Sequence, residues 1–252
     1  MNRQLEKIDE PVDFLTIVPD GEPTLDLHLG LIIERLRTTH LPVAVISNAS
    51  LIDQADVQHD LARADWVSLK VDAVNEEFWK KLNRPNRHLD LSRILKGIEE
   101  FAHSFKGTLV TESMLIEGVN DDPTQIRDLA RYLAGLAPSK AYLSIPTRPP
   151  AEQGVKSPSE EVVNRAYQIL AETVPWVEYL VGYEGNIFAS TGNIREDLLR
   201  VSAVHPLREE AVRELLSRNK AEWESVEKLL QREELAEVEY SGHKYYTRRW
   251  RK

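Results

Sequence analysis

Six short apolar runs, rich in β-branched residues, alternate along the chain with segments whose apolar residues recur at helical spacing. This alternation limits the possible folds more than any other feature of the sequence. The runs occupy residues 14–18, 43–46, 66–71, 108–116, 141–145 and 177–181. Between them the pattern predicts helices over 29–36, 53–63, 75–82, 91–105, 123–136 and 159–173, the first carried by Leu29, Ile32, Ile33 and Leu36. Such a rhythm predicts parallel βαβ units rather than a meander. A chain of 252 residues has room for one large α/β domain and a small appendage.

In parallel sheets and barrels, ligands sit at the carboxyl ends of the strands. Polar residues gather there in this sequence: Asp20 and Glu22, Ser47 and Asn48, Lys70 and Asp72, Glu112, Thr147 and Arg148, Tyr183 and Glu184. The first of these turns is the most constrained. The strand stops at Pro19-Asp20-Gly21, Gly21 allows close approach of the backbone to a ligand, and Pro23 fixes the chain's exit. Glu22 between them is placed either to cap the next helix or to receive an ammonium group through charge-assisted hydrogen bonds. Ser47 and Asn48 fit both a generic βα turn and a ligand contact. Lys70 and Asp72 flank Val71 and so point to the same face. A lysine on a buried face needs a partner, which makes the two residues an ion pair or a joint contact to a ribose or carboxylate. Arg148, next to Pro149-Pro150, either holds an anionic group or belongs to a rigid segment that steers the chain. Gly182-Tyr183-Glu184-Gly185-Asn186 has the polarity of a strand end bordering a substrate pocket.

Composition excludes several chemistries. The chain has no cysteine, so disulfides, thiolate catalysis and cysteine-ligated metals are ruled out on it. Its seven histidines show no HxH or HExxH spacing, so no metal site is expected, and neither a P-loop nor a GxGxxG motif occurs. A formal net charge of −9 argues against nucleic acid as the main partner. No apolar run is long enough for a membrane helix and the N-terminus lacks the apolar core of a signal peptide, so the expected location is the cytoplasm.

Gly21-Glu22-Pro23-Thr24-Leu25 resembles the Gly-Glu-Pro turn that follows the second barrel strand of radical S-adenosylmethionine (radical SAM) enzymes, with Asp20 where the commonest form has another glycine. The loop Glu117-Gly118-Val119-Asn120-Asp121 is similar to the family's Gly-x-Asn-Asp loop. The resemblance implies a partial (β/α) barrel, S-adenosylmethionine as cofactor, and a [4Fe–4S] cluster whose electron cleaves that cofactor to a 5′-deoxyadenosyl radical. It also implies cofactor contacts from Gly21, Glu22 and Pro23, from Ser47 and Asn48, from Lys70 and Asp72, and from Ile145 beside the adenine. The family's three cluster cysteines follow its first strand, whereas here the resemblance begins at the second. The cluster is therefore not bindable by this cysteine-free chain. The expectation is either a piece of a longer enzyme or a cluster-less member acting as a binding or partner subunit. A strand at 14–18 left as an open edge would favour self-association.

The βα rhythm stops near Ser202. Helix patterns at 206–218 and 221–232 precede two alternating strands, 236–240 and 244–247, joined at Ser241-Gly242. This is the outline of a winged helix, giving expected domains of 1–201 and 202–252. A winged-helix transcriptional regulator with an α/β effector domain is the alternative function. The second helix and its continuation weigh against DNA, carrying Glu222, Glu224, Glu227, Glu233 and Glu234 against Lys228 and Arg232. The terminal Arg248, Arg249, Arg251 and Lys252 read as a solvated tail.

Overall fold

The computed structural model describes residues 12–18, 21–150, 152, 154–180, 188, 190–204, 206–240 and 242–249. Asp20 and the segment Gly182-Tyr183-Glu184-Gly185-Asn186 lie outside the described residues, as do Arg251 and Lys252.

The larger unit is built from β1 (Leu15–Ile17), α1 (Leu29–Arg37), β2 (Val43–Ser47), α2 (Ala55–Leu61), β3 (Trp66–Lys70), α3 (Glu76–Asn83) and α4 (Leu91–Ser104). It continues with β4 (Thr108–Met114), α5 (Pro123–Leu136), β5 (Lys140–Ser144), α6 (Glu160–Ala171) and β6 (Val177–Leu180). The six strands pair in sequence order and every pair is parallel, as expected from the alternation of strand and helix. Sequential strands joined by crossovers of one hand place all the helices on one side, which gives the open α/β partial barrel.

Alternation along each strand separates two faces. Val43, Val45, Val67, Leu69, Leu109, Leu143 and Val177 join Ile33, Leu61, Ile98, Phe101 and Leu133 from the helices in one core. The opposite face carries Ile46, Lys70, Glu112 and Tyr142, the last three in a single row across β3, β4 and β5. Phe14, Val18 and Ile46 are exposed where β1 forms the edge of the sheet.

The helices begin where the sequence supplies caps. Asn75 accepts from Glu77 N–H, Asp90 from Ser92 and Arg93 N–H, and Ser159 from Val162 N–H; Asp122 caps α5 with Pro123 in the first turn. In α4, Gly97 allows a close backbone approach, since a Cβ there would lie 2.7 Å from the Ile52 carbonyl oxygen.

The smaller unit contains α7 (Ile194–Val204), β7 (Leu207–Arg208), α8 (Glu209–Arg218), α9 (Glu224–Gln231), β8 (Leu235–Tyr240) and β9 (His243–Arg248). Its antiparallel sheet has the order β7-β9-β8. Leu198, Leu207, Val212, Leu215, Val226, Leu229 and Tyr246 form its core. The segment 147–151 belongs to this unit, and Tyr245 donates to the Thr147 carbonyl at 2.9 Å. The expected boundary at 201/202 would cut through α7, whose Leu198 is buried in the second core, so the division falls before that helix. The turns around Asp197 explain the difference: the buried carboxylate accepts from Thr191 N–H at 2.9 Å and Thr191 Oγ1 at 2.7 Å, fixing the start of a helix that the strand–helix rhythm did not anticipate.

Candidate functional site at the strand ends

Gly21 has φ +144°, a conformation that side chains disfavour, and it delivers the chain into Glu22. Glu22 caps the 3₁₀ turn Pro23–Leu25 and is only 8% exposed. Its Oε1 accepts from Thr24 N–H at 3.1 Å, Thr24 Oγ1 at 2.7 Å and Ser47 Oγ at 2.7 Å. Its Oε2 accepts from the Asn48 N–H at 2.7 Å. An ionised carboxylate offers about four acceptor positions shared between its oxygens, so Oε1 is filled and Oε2 keeps capacity. Among the described residues no ion pair neutralises this acid. The two readings of Glu22 from sequence are thus compatible, because one oxygen caps the turn and the other remains able to meet a cation.

Ser47 and Asn48 position this acid. Ser47 Oγ, buried, donates to Glu22 and accepts from Ala49 N–H at 3.0 Å. The Asn48 side chain accepts from Ser50 N–H at 2.9 Å, forming the turn that aims its own N–H at Glu22.

Lys70 and Asp72 do come together, with Nζ 3.8 Å from Oδ2 and the Lys70 side chain 30% exposed. Asp72 also accepts from Asn83 Nδ2 at 2.7 Å and from Met114 N–H at 2.9 Å. Burial pushes the Asp72 carboxyl up from its ordinary value and the Glu112 charge adds to this. The Lys70 ammonium and the hydrogen bonds from Met114 and Asn83 oppose the shift without cancelling it. Asn120 donates to the Asp72 carbonyl at 2.9 Å and to the Met114 carbonyl at 2.8 Å, which ties the β4 loop beneath the same corner. Glu112 accepts from Ser144 Oγ at 3.0 Å.

A cavity of about 730 Å³ opens at this corner, and Gly21, Glu22, Asn48, Lys70 and Asp72 line its strand end. Pro23 and Ser47 stand behind that lining as supports. Ile145 packs against the helix-side core and does not line the cavity. Thr147 and Arg148 belong to the smaller unit. Asn83 and Trp79 also line the cavity and were not singled out from sequence. Asn83 sits at the end of an amphipathic helix, and no sequence spacing links it to Asp72. Among the described residues no group of His, Asp and Glu is arranged to hold a metal ion, and no helix is long and apolar enough to cross a membrane.

Comparison with known proteins places this corner in context. Residues 2–130 match the model of the radical SAM superfamily. A UPF0026 protein of Methanocaldococcus jannaschii is 39% identical over 240 residues, covering 94% of this chain and 75% of that protein. A UPF0026 protein of Helicobacter pylori is 31% identical over 161 residues, covering 63% of this chain and 52% of that one. The chain thus spans three quarters of the first relative and about half of the second. Among solved structures, a radical SAM methyltransferase from Sphaerobacter thermophilus shares the fold, with a TM-score of 0.57, 22% identity, and coverage of 71% of this chain and 55% of that one.

Proposed function

The chain belongs to the radical SAM superfamily, and from that premise we propose that it binds S-adenosylmethionine in the strand-end cavity, with Glu22 receiving the cofactor's α-ammonium. The observation that carries this reading is a buried carboxylate on the cavity lining whose Oε1 takes three neutral donors while Oε2 takes one and keeps acceptor capacity. Four neutral donors hold the charge without neutralising it, so an arriving ammonium gains a charge-assisted hydrogen bond and desolvates little else. Lys70, held by Asp72, supplies the opposite charge for the cofactor's carboxylate or a ribose hydroxyl.

The superfamily's [4Fe–4S] cluster does not fit the residues present. Its iron takes thiolates, and this sequence has none. No electron-transfer step is assigned to this chain, and its role is that of the cofactor-holding part of such a system. The smaller unit reads as a winged-helix-like module that packs with or holds a protein partner. The transcriptional-regulator alternative draws no support from the family match or from the relatives described above.

Isothermal titration of the full chain with S-adenosylmethionine tests the reading. Binding is expected for the wild type and a loss of at least tenfold for Glu22→Ala; equal affinities would remove Glu22 from the site.

A further inference from the structure

The charged residues that line the cavity lie at the strand ends (Glu22, Lys70 and Asp72) and in the exposed loop after α3 (Arg84). One wall is formed by Leu91, Ile94, Leu95 and Ile98, at i, i+3, i+4 and i+7 on one side of α4, and Trp79 of α3 and Leu51 also line the cavity. An apolar stripe of this spacing is ordinarily consumed by core packing. Here the same stripe also borders open volume.

Two contacts hold the wall in place. Gly97 brings α4 against the Ile52-Asp53 backbone, and Tyr132 donates to the Leu95 carbonyl at 2.7 Å from the α5 side. A wall fixed on both sides resists collapse onto the space beside it. Asn86 and His88, exposed residues of the loop that begins at Arg84, also line the cavity. Arg84 adopts left-handed φ 44° and is ion-paired with Glu152.

The chemistry of the wall selects its ligand. Leucine, isoleucine and tryptophan side chains provide no acceptors and almost no donors for the ring nitrogens and amine of an adenine, which would be buried with unmet hydrogen bonds. A hydrocarbon ring or chain loses nothing there. We propose that this slot binds an apolar ring or short aliphatic chain of a second ligand, held at the same time as S-adenosylmethionine. The simultaneity rests on the cofactor reading above, whereas the slot's preference for apolar groups does not.

The test is a methyl-resolved NMR titration of the full chain with toluene as the probe. Saturable shifts are expected at the Ile94 and Ile98 methyls, unchanged by saturating S-adenosylmethionine. Leu95→Trp should weaken toluene at least tenfold while cofactor affinity, measured calorimetrically on the same sample, stays the same. Leu95→Phe serves the same purpose if the tryptophan variant does not fold. Absence of saturable shifts, or unchanged toluene affinity in a folded slot-filling variant, would overturn the proposal. Displacement of toluene by S-adenosylmethionine would also overturn it, by giving the slot to the nucleoside. Toluene binding without any cofactor binding would leave the apolar slot standing and remove the cofactor reading instead.

Discussion

The two faces of the six-stranded sheet are made from the same strands, one residue apart, yet they have opposite properties. On the helix side, Val45, Val67, Leu69 and Leu143 are fully buried. On the other side, Ile46 is 38% exposed, and Lys70, Glu112 and Tyr142 form a polar row. The helix face supplies the stability, and the open face with its rim supplies groups whose charges are held in place but not consumed. Where the two meet, at the carboxyl ends of β1 to β3, a buried acid with spare acceptor capacity becomes affordable because the backbone turns around it supply its donors.

The division of labour can be attacked from either side. The largest effect is expected on the helix side, where Leu69→Ala should cost about 2–5 kcal/mol in a denaturant melt. S-adenosylmethionine affinity per folded molecule should barely change. Gly97→Ala drives a methyl into backbone and should cost about 1–3 kcal/mol, read in the same melt. At the rim the expected pattern reverses. Lys70→Met should weaken S-adenosylmethionine in a calorimetric titration by about 1.5–3 kcal/mol, the range for hydrogen bonds to charged groups, and change stability less than Leu69→Ala does.

The smallest effect concerns pH. The Asp72 carboxyl is raised in the folded state, so its contribution to stability is full below the ordinary value of 3.8 and is lost as pH rises through the folded value. Asp72→Asn has no such loss. Its stability relative to wild type should therefore increase from acid toward neutral pH, as followed by melts across that range. A constant difference would show that Asp72 is not the group responsible.

Much of this was legible in the sequence, for reasons that differ by region. The strands and helices of the larger unit are written in their period, whereas the caps Asp90, Asp122 and Ser159 emerge only with the structure. Glu22, Asn48, Lys70 and Asp72 line one cavity because the ends of parallel strands converge whatever the helices do. Asn83 and the α4 wall could not be read from the sequence. Their nearness to Asp72 depends on how α3 and α4 pack, and the apolar stripe of α4 looks in sequence like any core-facing helix. Helix α7 was missed because it follows the last strand of the sheet and serves a different core. Ile145, placed beside the adenine by resemblance, is partly buried against the helix-side core.

The proposed cofactor site turns on one electrostatic contact, between Glu22 Oε2 and the amino group of S-adenosylmethionine. A double-mutant cycle measures it directly, using S-adenosylmethionine and its deaminated analogue against wild type and Glu22→Gln. A coupling of about 1.5–3 kcal/mol is expected, with the wild type strongly preferring the amine and the variant nearly indifferent. A coupling of zero, with both proteins discriminating equally between the two ligands, would contradict the account.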